Sequence, residues 1–368
     1  MVEADKKSLM EYRYLGNTGI KVSAISFGNM VNHLAENAQA SLNEIVARCL
    51  EYGVNFFDTA EAYAGGLAET QLGQSFIDLK VRREDIVVST KLFFGTEGIF
   101  SSANPPVNGL GLSRKHIIEG TRNSLKRLQL SYVDVIYAHR YDQHTPLEEV
   151  VRAFSWVVDQ GLAFYWGTSE WNSDQIAEAI LFARAHGLHE PVTEQPQYSM
   201  LIRDRFEKEY GTTIFEKYRY GSTVWSPLGQ GVLTGRYNDG NVAEGRFTQD
   251  PTFKDFILGQ FFSPAKKEKS IQILQGLAEL SQELGYTQSQ LALAWALANK
   301  DVSTLILGFS KVSYVDENLK ALELYRKWNK EIEQKCEALL SNQPQGTTDY
   351  RTFAPNATRR THAVFNKK

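Results

Sequence analysis

The sequence predicts an α/β fold, a (β/α)8 TIM barrel with an N-terminal β-hairpin and extra C-terminal helices. Short apolar runs of strand character alternate with stretches of helical period, and eight such strands can be counted. Charged or proton-handling side chains stand at, or just after, the ends of three of these runs. Asp58 ends the run 55–58, Tyr63 follows in the next loop, Lys91 ends 86–91 and His139 ends 132–139. In such a barrel the C-terminal strand ends share one mouth, where active sites are built. A length of 368 residues is ordinary for one α/β barrel.

Taken in order, residues 12–20 carry the turn cluster Gly16-Asn-Thr-Gly19 between two short extended pieces, a hairpin pattern. The first strand is read at 22–27. A helix follows over 41–52, with Leu42, Ile45, Val46, Cys49 and Leu50 on one face. Ser41 is its expected N-cap, Glu44 stands at the capping-box position, and Gly53 ends it. The second strand is 55–58, the next helix 68–79, and the third strand ends at Lys91. A longer loop over 92–112 holds Phe93, Phe94, Ile99 and Phe100. These aromatics either wall a substrate pocket, the reading preferred here, or simply pack the loop down.

Ser113 caps a helix that runs to Leu128, and the fourth strand ends at His139. Pro146 suits the first turn of the fourth helix, which Gly161 ends. Strand 163–168, helix 173–186 and strands 192–195 and 222–225 come next. Helices 266–284 and 287–299 precede the eighth strand, 302–307, and further helical segments fill 313–341. From 343 to 368 the composition turns polar, with five basic side chains against one acidic. The expected division is a flexible N-terminus (1–11), the barrel (12–342) and a polar, basic tail (343–368).

Composition narrows the function. With 42% hydrophobic and 23% charged residues the chain can bury a large core. A formal net charge of −3 argues against a dedicated nucleic-acid binder. No apolar run approaches the ~20 residues of a membrane helix, and residues 1–8 are charged, without the apolar centre of a signal peptide. Only Cys49 and Cys336 are present, so a reducing compartment, the cytoplasm, is the simpler expectation. The seven His show no metal-ligand spacing, and no metal is expected.

The four strand-end residues make chemical sense together. A phenol has an ordinary pKa near ~10 and releases its proton reluctantly. A nearby ammonium stabilises the phenolate, so Lys91 is expected to lower Tyr63, with Asp58 holding Lys91 charged and in place. Each residue alone has an ordinary reading as a helix cap, a rim aromatic or a core histidine.

The stretch 57–63 (FDTAEAY), with 89–91 (STK), resembles the aldo-keto reductase superfamily. Residues 111–120 (GLSRKHIIEG), 132–135 (YVDV) and 165–169 (YWGTS) are similar to the branch of the voltage-gated potassium channel β-subunits and their reductase relatives. The likeness runs from about Tyr12 to Asn342. It implies a barrel closed at its bottom by the hairpin. It also implies NADPH-dependent reduction of aldehydes and ketones, with Asp58, Tyr63, Lys91 and His139 as the catalytic set. His139 stands where the animal channel subunits carry Asn, which favours working catalysis.

No Gly-x-Gly-x-x-Gly follows the first strand, so a Rossmann site is not indicated. A barrel binds phosphate at the loops after its seventh and eighth strands. There the chain has 225–236 (WSPLGQGVLTGR), Arg246 and 307–310 (LGFS). Carried over by position, the resemblance implies NADPH contacts from Gly28, Asn29, Met30, Asp58, Ser169, Gln195, Trp225, Ser226, Pro227 and Leu228. Further contacts come from Gly231, Arg236, Arg246, Gly308, Ser310, Tyr314, Glu317 and Asn318. Gln195 would face the nicotinamide carboxamide and Asn318 the adenine edge, while Arg236 and Arg246 near the 2′-phosphate favour NADPH over NADH. Met30, Glu170 and Tyr314 depart from the Trp, Arg and Gln of the animal channel subunits. Phe93, Phe94, Tyr141, Trp171 and Tyr198 are the expected aromatic substrate pocket.

Two functions are therefore expected to compete: a soluble carbonyl reductase, and a cytoplasmic redox-sensing subunit docked on a potassium channel. The resemblance also implies a homotetramer. About 11 residues precede the barrel, too short an arm for pore plugging.

Overall fold

Eight parallel strands pair around a closed circuit, the last in the chain pairing with the first. The computed structural model describes residues 9–30, 37–97, 106–242 and 251–345. The chain starts with an antiparallel hairpin of β1 (Tyr12–Tyr14) and β2 (Lys21–Ser23), then enters the barrel at β3 (Ile25–Gly28). Helix α1 (Ala38–Glu51), β4 (Phe56–Asp58), α2 (Leu67–Asp78), β5 (Val87–Leu92), α3 (Arg114–Leu128) and β6 (Val133–Ala138) follow. Then come α4 (Leu147–Asp159), β7 (Ala163–Ser169), α5 (Ser173–Ala185) and β8 (Thr193–Gln195). A π-helical stretch (Arg205–Phe215) runs into α6 (Glu216–Tyr218), and β9 (Gly221–Trp225) follows. Helices α7 (Pro251–Phe261), α8 (Lys267–Glu283) and α9 (Gln288–Ala298) lead to β10 (Thr304–Leu307). The last helices are α10 (Val312–Leu319), α11 (Ala321–Arg326) and α12 (Lys330–Leu340).

Two apolar layers hold this together. Alternate strand residues Phe56, Val87, Val135, Tyr137 and Ile306 fill the barrel interior, and Leu15 and Val22 of the hairpin pack on them from below. The hairpin is thus a plug for the bottom of the barrel. The second layer lies between strands and helices, where Phe27, Phe57, Val88, Ile136 and Trp166 meet α1 to α5. A strand buried on both faces reads as a continuous apolar run, which is why these strands stand out in the sequence.

The run read as a first strand over 22–27 is two elements. Ala24 donates its amide to Glu11 at 2.8 Å as the chain leaves the hairpin, and barrel pairing starts at Ile25. Helix α1 begins a turn before Ser41, which bonds back to the Asn37 carbonyl at 3.0 Å as an interior residue. The helix formers Ala38, Gln39 and Ala40 carry it upstream. Pro146 stands at the cap, one residue before α4. Ser113 does cap α3, accepting from the His116 amide. The segments at Arg205–Phe215 and Pro251–Phe261 were not expected. Ile99, Phe100 and Arg246 lie outside the described residues, as does nearly all of the basic tail.

Candidate active site

Register places the chemistry. Gly28 pairs with Asp58, Asp58 with Ser89, and Lys91 with Tyr137, so these residues step round the C-terminal rim of the barrel. Lys91 is wholly buried. Its Nζ donates to Asp58 Oδ2 at 2.5 Å, to the Thr59 carbonyl at 2.8 Å and to the Tyr63 hydroxyl at 3.2 Å. Burial alone would depress the ammonium, but the Asp58 and Tyr63 oxygens outweigh it and hold Lys91 above its ordinary value. Asp58 also accepts from Ser89 Oγ at 2.6 Å and from Gln195 Nε2 at 3.1 Å. A buried carboxylate with an ammonium and two further donors meets the condition for keeping its charge out of water.

Tyr63 is half-buried as a residue, while its hydroxyl is enclosed. Its pKa lies above the ordinary value, because burial raises it more than the opposing Lys91 lowers it. This corrects the expectation of a lowered phenol: desolvation of the anion outweighs one paired ammonium. Tyr63 therefore keeps its proton at neutral pH. His139 is buried, and burial, with Lys91 and Arg140 nearby, pushes it well below its usual range, so it is neutral. Its ring stands edge-on to Tyr63 at 5.9 Å and to Phe94 at 5.2 Å.

Phe93 and Phe94 are half-buried and packed edge-to-face at 4.9 Å. Tyr141 lies edge-on to Trp171 at 4.9 Å, and Trp171 is itself fully buried. Tyr198 is turned away from the mouth. It stacks on Phe206 at 4.2 Å, lies 5.1 Å from Trp295 of α9, and donates to Glu207 at 2.7 Å. An aromatic slot between strands and helices accepts it, which its place in the chain did not reveal.

Around the rim, Ser169 donates to the Gln195 carbonyl at 2.9 Å, and the Gln195 amide is engaged with Asp58. Asn29 donates to the Ala68 carbonyl at 2.8 Å, and Met30 is 40% exposed. After β9 the backbone passes through left-handed positions at Ser226, Gly229, Gln230, Gly231 and Gly235. Gly231, at φ +102°, has open space where a Cβ would stand. Leu228, next to Pro227, closes the turn by accepting from the Gly231 amide at 3.0 Å. Arg236 is exposed on the same segment, and Gly308 and Ser310 are exposed after the neighbouring β10. Tyr314 is half-buried and Asn318 buried, and the Glu317 carbonyl accepts from Gln290 at 2.8 Å. The exposed Arg236 guanidinium on this loop suits a phosphate of a dinucleotide.

The contacts of several charged residues at the site were not anticipated. Glu170, at φ +58°, accepts from the Trp225 indole at 2.9 Å and the Gln197 amide at 2.6 Å, and pairs with Arg205 at 2.7 Å. Glu61, inside the motif 57–63, is buried and tied to the loop after β5. Arg140 reaches Ser169 at 3.3 Å. Charge at a strand end is the signal that could have found them, but not their partners. Among the described residues there is no cluster that could hold a metal ion, and no helix long and apolar enough to cross a membrane.

The model of the Aldo/keto reductase family matches residues 24–339. A protein of Oryza sativa subsp. japonica named "Probable voltage-gated potassium channel subunit beta" is 43% identical over 345 residues, 93% of this chain and 100% of the relative. A protein of the same name from Arabidopsis thaliana is 42% identical over the same shares. A Schizosaccharomyces pombe protein with a channel β-subunit name of the same kind is 44% identical over 337 residues, 90% of this chain and 94% of the relative. On barrel, site and likeness alike, the chain belongs to the aldo/keto reductase family.

Proposed function

We propose that the protein is an NADPH-dependent aldo-keto reductase that reduces aldehydes and ketones to alcohols. The observation that carries this reading is the buried chain Asp58–Lys91–Tyr63 beside a neutral His139 at the barrel mouth. The loops after β9 and β10 would hold NADPH, which would supply the hydride when bound. His139 donates a hydrogen bond to the carbonyl oxygen and polarises it. Tyr63 gives its proton to that oxygen as the hydride reaches the carbon. Lys91 stabilises the phenolate that remains, and Asp58 keeps Lys91 charged and aimed at Tyr63. The half-buried Phe93 and Phe94 exclude water and favour apolar carbonyls. Arg236 favours NADPH over NADH by pairing with the 2′-phosphate.

Tyr63→Phe tests this directly. Turnover of an aldehyde panel should fall by about 10²–10⁴-fold, while the affinity for NADPH measured by fluorescence titration stays close to wild type. Undiminished turnover would remove Tyr63 from its role.

The relatives' names favour a second reading, a β-subunit of a voltage-gated potassium channel, to which the resemblance in sequence adds a cytoplasmic redox-sensing role and a homotetramer. Co-expression with a channel separates the two. A subunit effect on current that survives Tyr63→Phe and follows the NADPH/NADP+ ratio supports the second reading, and no effect on current leaves the reductase alone.

A further inference from the structure

Glu61 lies between Asp58 and Tyr63, yet it faces neither. It is 2% exposed, and a carboxylate so buried requires partners. One oxygen, Oε1, accepts from the Phe93 amide at 2.8 Å, the Gly95 amide at 2.9 Å and His116 Nε2 of α3 at 3.0 Å. The two amides flank Phe94, so one carboxylate grips its backbone from both sides. Glu61's own amide donates to the Lys91 carbonyl at 3.2 Å. The segment bearing Tyr63 and the segment bearing Phe94 are therefore bonded to each other in both directions.

The turn has little freedom left. Gly95 adopts φ +61°, and a Cβ there would lie 2.4 Å from the Gly109 carbonyl oxygen. The Phe93 carbonyl accepts from the Gly111 amide at 2.7 Å. The result is a Phe94 ring edge-on to His139 at 5.2 Å, with the Arg140 guanidinium 5.9 Å from the ring centre.

We propose that Glu61 is a positioning residue for substrate selection: it holds the Phe93–Gly95 turn so that Phe94 stands against His139 and forms the wall on which an aromatic or long apolar carbonyl packs. This rests on the reductase reading for the substrate, but not for the geometry. Loss of the clamp removes binding shared by ground and transition states, so it acts on KM more than on kcat.

The test uses the full-length protein with Glu61→Gln, which keeps an acceptor oxygen, Glu61→Leu, which removes it, and Phe94→Ala. In histidine-labelled protein, Glu61→Leu and Phe94→Ala should shift the His139 imidazole signals alike, and Glu61→Gln should return them towards wild type. Against benzaldehyde, Glu61→Leu should raise KM ~10-fold with kcat within ~3-fold, and leave KM for propanal nearly unchanged. Glu61→Leu in the Phe94→Ala background should add nothing. Additive effects, or His139 signals that Glu61→Leu does not move, overturn the proposal. Should Glu61→Leu fail to fold, Glu61→Asp, one methylene shorter with its charge kept, must move the His139 signals and benzaldehyde KM in the same direction, or the proposal falls. A wild-type protein without Tyr63-dependent turnover refutes the reductase reading, and the imidazole signals still decide the role of Glu61.

Discussion

Lys91 shows how one residue ties stability to chemistry. Its ammonium has no contact with solvent and is neutralised by Asp58 at 2.5 Å. Lys91→Met would leave the Asp58 carboxylate buried without a counter-charge, at a cost of about 3–5 kcal/mol. Urea unfolding should show that loss, and adding Asp58→Asn should recover much of it; a double variant no better than the single one would contradict the pairing. Glu194 of β8 sets a pH dependence. Burial pushes its carboxyl up to about 8, against the opposing hydrogen bond from Thr168. Above the ordinary carboxylate range the unfolded chain has released a proton that the native state still binds. This contribution to stability is whole below that range and is lost as pH climbs through about 8. The urea midpoint of wild type should therefore fall from pH 5 to pH 8 by more than that of Glu194→Gln, and equal slopes would count against it. Tyr63 was misread at this scale for the same reason: neighbours in sequence suggest a charge partner, whereas the extent of desolvation depends on the whole surround.

Among the elements, helices α2 and α3 meet at Gly73. A Cβ there would stand 2.1 Å from the Leu128 carbonyl oxygen, a backbone atom that cannot move aside without unwinding the end of α3. Gly73→Ala should destabilise by roughly 1–3 kcal/mol through overpacking. Gly211, in the π-helical stretch, has nothing within 4 Å of the same position. Gly211→Ala should be neutral, or stabilise by up to about 1 kcal/mol through the chain entropy it removes. Thermal unfolding of both variants checks the contrast, and equal losses would show that the α2–α3 approach is looser than described. Strand and helix types were legible here because periodicity is local. The division at Ala24 was not, since only the carbonyl of Glu11, brought across by the hairpin, marks where one ladder ends and the next begins.

For the whole molecule, closure of the barrel gathers residues from eight strands on one rim, and a dinucleotide lying across it would bridge the loops after β9 and β10. A ligand that binds only the native state stabilises it by about 2.7 kcal/mol at 100 times its Kd. NADPH should raise Tm more than NADH at equal concentration, and Arg236→Ala should narrow the difference. Equal shifts with both nucleotides in wild type would remove the 2′-phosphate role of Arg236.

What the sequence by itself determined was the barrel, the order of its eight strands and the placement of Asp58, Tyr63, Lys91 and His139 at or just after strand ends. Each of these follows from short-range pattern: apolar runs of strand length, helical period between them, and a polar residue where the run stops. Tertiary structure alone decided that Glu61 grips the Phe94 turn, that Glu170 holds the Trp225 indole, and that Tyr198 stacks on Phe206 and not at the mouth. Glu170 and Trp225 stand 55 residues apart in the chain. Desolvation and hydrogen-bond direction depend on what the folded chain brings within a few ångströms, and no local pattern records it.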